Sequence, residues 1–514
     1  MTMKRIARAF AGAATLWGAL CTAHAQSQPP LEAFAVLPDE APSISPDGSH
    51  FALIRGMNGR PMVAIYRVDA PSESPKIVTS ADWIINGFRW VKNDVLLVYN
   101  KKNRTLGVHD TSKLMRPLED AAAVSLTDLK MVRLSAYGRI DDVDLDDPDN
   151  IYAAFGTEFA NFPCRINVRT GDRPEFFTPE PKSAEYTPRW IFDGHGKIVA
   201  RVDSQRDLHT RDIPLWHNTL RVLDNGAWRP IGTFKGTVDQ GDGVAGLSED
   251  GRAVIRLAPD KKATISVTRV DITSASETKL FKDPLHDVDA ALEDEWTGRI
   301  IGYSIDEDMP AYRYFDPRCE ALQRGLEQAF PALSVHAVSA DVADDKLIVE
   351  TVGPKTPASY YLYDRGTHRA TAIAASYPDL NENMLGDVKP YPYKARDGLQ
   401  ISAYLTLPPG LPPQNLPLVV MPHGGPDARD DMRFDWIAQF LSSRGYAVLK
   451  PNFRGSSGYG RPFTEAGLRQ WGLKMQDDIS DGVKKVIADG MADPKRFASW
   501  GPVLAAMQRW QEQL

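Results

Sequence analysis

The chain has 514 residues, too many for one hydrophobic core, and its 43% hydrophobic and 25% charged composition is that of an ordinary globular protein. A formal charge of -7 and a pI near 5.9 exclude the basic footprint that nucleic-acid binding requires. From length alone, about two or three domains are expected.

At the N-terminus, Lys4, Arg5 and Arg8 form a basic start, Ala9 to Leu20 an apolar run, and Ala23-His24-Ala25 a small-x-small site. That run is too short to span a bilayer, and the layout over residues 1–25 is that of a secretory signal peptide cut after Ala25. Bulky Leu20 before Cys21 argues against a lipoprotein site. No later segment is apolar enough for a transmembrane span, so release is expected, in a bacterium to the periplasm. After cleavage Cys164 and Cys319 remain. They are compatible with a disulfide in an oxidising compartment and equally with two buried free thiols. No spacing of Cys and His resembles a metal site.

Residues 26–376 read as short strands separated by turn signals, with one helical stretch near Pro317 to Phe330. Ser45-Pro46-Asp47-Gly48 precedes a strand at His50 to Ile54, Ser248-Glu249-Asp250-Gly251 one at Ala253 to Leu257, and Phe192-Asp193-Gly194-His195-Gly196 one at Ile198 to Val202. In each, Asp and Gly supply tight-turn geometry and an apolar run follows at once. Strand-turn units recur at Ile166 to Gly171, Val270 to Thr273 and Tyr361 to Thr367, and Trp90 with Asp94 to Val98 adds another strand entry. Repetition of such units every forty to fifty residues or so, without intervening helices, favours an all-β propeller of about seven blades over an array of β-sandwiches.

The character changes near Tyr377. Tyr393 to Gly398 followed by Ile401 to Leu407 reads as a hairpin at a sheet edge, and Pro408 to Pro417 as a surface turn. Strands at Leu418 to Met421 and Ala447 to Pro451 then alternate with helices near Trp436 to Arg444 and from Asp477 to Asp489. This alternation implies a mostly parallel, doubly covered sheet over residues 377–514.

Within that region stand Ala395-Arg396-Asp397-Gly398, His423-Gly424-Gly425-Pro426, Asn452-Phe453-Arg454-Gly455-Ser456-Ser457-Gly458-Tyr459-Gly460, Trp471-Gly472 and Asp477-Asp478-Ile479. In this order and spacing they resemble the prolyl oligopeptidase family of serine peptidases, in particular its acylaminoacyl-peptidase and dipeptidyl-aminopeptidase-like branch. The resemblance implies an α/β-hydrolase domain after the propeller, short peptides as substrates, no cofactor, and no nucleic-acid partner; it leaves oligomeric state open. It implies an oxyanion-hole role for the backbone near Gly424 and Gly425, because glycines let N–H groups approach the developing alkoxide. His423 is read as a structural residue of that loop. Arg454 and Tyr459 border the family's active site, although Arg454 also suits an internal ion pair. Asp477 and Asp478, at a helix start, suit the helix dipole rather than a catalytic role.

A nucleophile on this fold needs a Gly-x-Ser-x-Gly elbow, and the chain contains none. Gly455-Ser456-Ser457-Gly458, Gly246 to Asp250 and Gly302 to Asp306 all fail the pattern. The family expects the elbow soon after Asp493-Pro494-Lys495-Arg496, and Val503 stands where its Ser should be. Read one frame over, codons permitted for Val503 to Trp510 allow Ser-Thr-Gly-Gly-Tyr-Ala-Ala-Met, so a frame shift close to Gly501 is expected, with residues 497–514 off-frame and the hydrolase domain incomplete. The family's Ser, Asp and His would all lie at or beyond position 503, and the last histidine here is His423. The chain as given is therefore expected to be catalytically dead. A non-catalytic, peptide-binding propeller and an esterase on the same fold are the alternatives.

Overall fold

A computed structural model describes residues 28–100, 121–134, 138–157, 160–177, 186–207, 215–237, 243–259, 264–425 and 428–500. Residues 1–25, where a signal peptide is expected, and Pro426, Gly501 and Val503 lie outside the described residues.

Up to Ala375 the chain forms antiparallel meanders. The first comprises Glu40–Ile44, His50–Met57, Arg60–Arg67 and Lys76–Val78. Further four-stranded sheets begin with the strands Ile85–Lys92, Gly138–Asp142, Tyr186–Phe192 and Ser334–Ala340. Between the last two lies a seven-stranded sheet, in which a four-strand meander from Val244–Ser248 and a three-strand meander from Val288–Glu293 meet. They join by a short parallel pairing of Leu247 and Ser248 with Arg299 and Ile300.

The turn chemistry read from sequence is what starts these sheets. Asp47 accepts from the Ser49 amide at 3.0 Å and from Ser45 Oγ at 2.7 Å, while Gly48 takes φ 67°. Asp250 repeats the arrangement with Arg252 and Ser248. The strand that follows each turn is covered on both faces: Phe51, Ala52, Leu53 and Ile54 are all buried. First and last meanders share one apolar cluster, Ile44, Phe51, Leu53 and Tyr66 packing with Ile348, Tyr360 and Leu362. The Ile44 amide donates to Ser339 Oγ at 3.0 Å, so the meanders close on themselves. The helix Pro317–Ala329 starts from Asp316, whose carboxylate accepts from the amides of Arg318 and Cys319. Cys164 and Cys319 are both free. Burial pushes the Cys164 thiol up to about 12.

The last sheet runs Asp387–Pro390, Gln400–Leu407, Ala447–Asn452, Leu416–Val420, Ala492–Ser499 in spatial order. Leu416–Val420 pairs in parallel with both Ala447–Asn452 and Ala492–Ser499. The expected hairpin exists, Tyr393 opposite Ile401, but Gln400–Leu407 lies inside the sheet and Asp387–Pro390 takes the edge. Alternate residues of one strand serve two cores: Leu418 and Val420 pack with Ile479, Val483 and Val486, whereas Val419 and Met421 pack with Ala438. Those partners come from the helices Lys474–Ala488 and Trp436–Ser443. The former begins a turn earlier than the acidic pair suggests, because its apolar series already starts at Met475. Asp477 lies in its first turn and Asp478 faces inward, fully buried. Among the described residues, no helix is long and apolar enough to cross a membrane.

Candidate active-site edge of the mixed sheet

Three parallel strands end side by side at Val420, Asn452 and Ser499, the edge where open α/β sheets bind ligands. The Trp500 amide donates to the Val420 carbonyl at 2.8 Å and the Met421 amide to that of Leu449 at 2.8 Å, which fixes the three ends together.

The loop leaving Val420 carries His423, Gly424 and Gly425. Gly425 has φ 72° with open space where a Cβ would stand, so its requirement for glycine is conformational. His423 is a clamp. Its ring stacks on Phe453 with centroids 4.6 Å apart, and Nε2 lies 2.8 Å from Ser456 Oγ. Ser456 gives its own proton to the Phe453 carbonyl at 2.6 Å, so the imidazole is the donor in that pair. Burial pushes His423 down to about 4, against the backbone of Gly424 and Gly425, and keeps it neutral. A Ser–His contact thus exists without the properties of a nucleophile and base: Ser456 is fully buried, and its hydroxyl proton is committed to the Phe453 carbonyl. Sequence reading missed this pair, since its two residues stand 33 apart and meet only through the fold.

The second loop, after Asn452, is held by polar side chains. Asn452 exchanges bonds with the backbone of Asp430 at 2.8 and 2.9 Å and donates to Tyr459 Oη at 2.7 Å. The Tyr459 ring lies under the Arg429 guanidinium, 4.7 Å away. Arg429 in turn donates to the carbonyls of Asp306 and Glu307, so this loop also meets the β-meanders. Arg454 turns inward: it meets Asp478 at 2.8 and 2.7 Å and Asp397 at 2.9 and 3.0 Å, nearly without exposure. Of the two roles open to it, the ion pair accounts for its donors. Burial pushes the Asp478 carboxyl up against the pull of Arg454, while hydrogen bonding to Arg454 holds Asp397 well below the usual carboxylate range. Beneath the sheet edge Lys450 reaches Asp435 at 3.1 Å and Asp430 at 3.7 Å.

Residues 432–502 match the family model described as the prolyl oligopeptidase family. Over that stretch the chain is similar to the family's peptidases. Dipeptidyl aminopeptidase BIII of Pseudoxanthomonas mexicana is 27% identical over 470 residues, covering 89% of this chain and 65% of that protein. Dipeptidyl peptidase family member 6 of Caenorhabditis elegans is 33% identical over 194 residues, 33% of this chain and 26% of that protein. The chain therefore spans less than two thirds of the length of these relatives. The crystal structure of a puromycin hydrolase has the same fold, with TM-score 0.63 and 18% identity over 92% of this chain and 76% of that one. The β-meanders followed by a mixed sheet are thus the fold of that hydrolase.

Proposed function

We propose that these residues belong to a secreted serine peptidase that hydrolyses short peptides through an acyl-serine intermediate. The observation that carries it is the Gly424–Gly425 loop, which leaves the end of one parallel strand and is clamped by His423 beside the ends of two others. In this reading the Gly424 and Gly425 amides face the substrate carbonyl as it becomes an alkoxide, each donor contributing about 3 kcal/mol to the barrier reduction. Tyr459 stands in the site wall, and Arg454 holds that wall from beneath through Asp397 and Asp478. Residues 1–25 act as a secretory signal toward the periplasm, residues 26–376 form the propeller, and residues 377–514 belong to the hydrolase domain. Counting the three-strand meander from Val288 as its own blade makes seven blades.

The 514 residues contain no Gly-x-Ser-x-Gly elbow, and their last histidine is the buried, neutral His423. In this reading the polypeptide of this sequence is inactive, for want of the elbow serine and of a histidine downstream of it to act as base. The test is a fluorogenic aminoacyl or dipeptidyl amide with the 514-residue chain. No turnover and no adduct with a serine-reactive organophosphonate are expected; turnover abolished by that reagent overturns the inactivity. Nucleotide sequence through codon 501 encoding no Ser-x-Gly-Gly-Tyr in any frame, together with peptide binding by the inactive chain, would favour a binding propeller over a peptidase.

A further inference from the structure

The turn between the strands Val288–Glu293 and Arg299–Ile305 does not stay within its own meander. Its backbone is built to hold shape: Asp294 accepts from the Thr297 amide at 2.8 Å and from Thr297 Oγ1 at 2.6 Å, and Gly298 takes φ 65°. From that base, Glu295 reaches the first and last meanders. Its carboxylate accepts from Ser43 Oγ at 3.3 Å, from the Ala340 amide at 3.2 Å and from Ser339 Oγ, while its carbonyl accepts from Arg89 of the second meander at 3.1 Å.

Trp296 crosses to the other side. It is 3% exposed and sits in the apolar cluster of the first three meanders, with Trp90, Val91 and Val143, while its indole N–H donates to the Ala340 carbonyl at 2.7 Å. Thr297 packs on the fourth meander so closely that a Cβ on Gly194 would lie 3.0 Å from its Cα. A Cβ on Gly298 would lie 3.7 Å from the Asp141 carbonyl of the third. Arg299 donates to the carbonyls of Asp193 and Glu249, at 3.2 and 2.9 Å, in the fourth and fifth. Five residues of one turn thus meet every other meander, and only a position on the propeller axis allows that.

The end of the axis is also fixed. Asp287 and Asp306, at the opposite ends of the same two strands, bond to each other and to the loops of the mixed sheet through Gly460 and Arg429. At about 3.3 Å per residue, strands of this length put the turn roughly 20 Å from that sheet.

We propose that residues Asp294 to Arg299 form a plug that closes the propeller axis at the end remote from the hydrolase sheet. A peptide then reaches the Gly424–Gly425 loop from between the two parts of the molecule and not through the propeller. Because the plug's contacts are independent of catalysis, the proposal stands whether or not the chain is a peptidase.

Glu295 gives the plug a chemical handle. Burial pushes its carboxyl up to about 7, opposed by bonds from Ser339 and Ala340 and by Arg89, and reinforced by Asp294. The closed plug therefore favours the neutral acid, and its stability is greatest below the free carboxyl's range and declines as pH rises toward 7.

Hydrogen exchange of the full 514-residue chain, read by mass spectrometry for residues 294–299, tests this. After correction for intrinsic rates, opening is expected to rise at least roughly tenfold between pH 5 and pH 8. The strand Ser359–Asp364 serves as an internal reference that does not follow it. Glu295→Gln, which keeps an acceptor without a charge, should flatten the pH response. Trp296→Ala should open the turn at every pH, while Trp296→Phe should do so less. Unprotected amides at pH 5, or protection unchanged in both Glu295→Gln and Trp296→Ala, overturn the plug.

Discussion

Arg454 is a residue whose loss is felt by two carboxylates at once. Asp478 is fully buried, so it can stay ionised only with a cation in contact, and the Arg454 fork supplies two bonds there and two more to Asp397. Removing one partner of such a pair strands a buried charge, which costs about 3–5 kcal/mol. Arg454→Met should therefore destabilise the mixed sheet by that amount in urea unfolding followed by far-UV circular dichroism. Arg454→Lys restores the charge without the fork and should recover only part of the loss. A neutral Arg454→Met would mean that Asp478 is held protonated in the native state. With its donors committed to Asp397 and Asp478, Arg454 is a residue that holds two loops together.

Two helices begin with an aspartate cap, and they differ in what else the cap does. Asp316 accepts from the amides of Arg318 and Cys319 at the protein surface. Asp435 accepts from Ile437 and Ala438 but also holds the nearly buried Lys450 at 3.1 Å. Asp316→Ala should thus cost about 1 kcal/mol, the ordinary value of a lost cap. Asp435→Ala should cost roughly 3 kcal/mol, since it also weakens the pairing of a buried ammonium. Asp435→Asn, keeping the cap without the charge, should fall between; equal costs for Asp316→Ala and Asp435→Ala in thermal unfolding would remove the distinction. Both helices were legible in the sequence, as were the turns at Asp47, Asp193 and Asp250, because caps and tight turns depend on residues two to four apart. The start of the Lys474–Ala488 helix was misplaced by three residues because Leu473 supplies no side-chain cap to announce it. The His423–Ser456 clamp and the Glu295–Ser43 contact were not legible, being made by residues 33 and 252 apart whose meeting depends on the whole fold.

At the scale of the molecule, the propeller and the mixed sheet meet through a cluster in which acids outnumber cations. Asp306 faces Asp287 and Asp289 on its own meander and Arg429 and Asp431 on the sheet side. The Arg429 guanidinium spends its bonds on the carbonyls of Asp306 and Glu307 and stands 3.9 Å from the Asp306 carboxylate. Around this cation the two parts are also joined by Tyr404 Oη to Asp308 at 2.9 Å and by the Gly460 amide to Asp287 at 2.9 Å. Burial first, then Asp289, pushes Asp306 up to about 7 although Arg429 pulls the other way. An acid raised in the closed form favours closure while it is neutral, so the contact is firmest in acid and weakens as pH climbs from the usual carboxylate range to about 7. Hydrogen exchange of residues 305–308 and 428–432 in the full chain should accordingly rise between pH 5 and pH 8, beyond the intrinsic trend, by roughly tenfold or more. Asp306→Asn should remove that rise and leave the contact tighter than native at pH 8. Gly458→Ala should act differently, because a Cβ there would stand 2.3 Å from Arg429 Nη1 at φ 85°. It should loosen the same segments at both pH values and leave their pH response in place. If native protein and Asp306→Asn follow the same pH curve, the titrating group at this joint is not Asp306, and the remaining carboxylates facing Arg429 become the ones to replace.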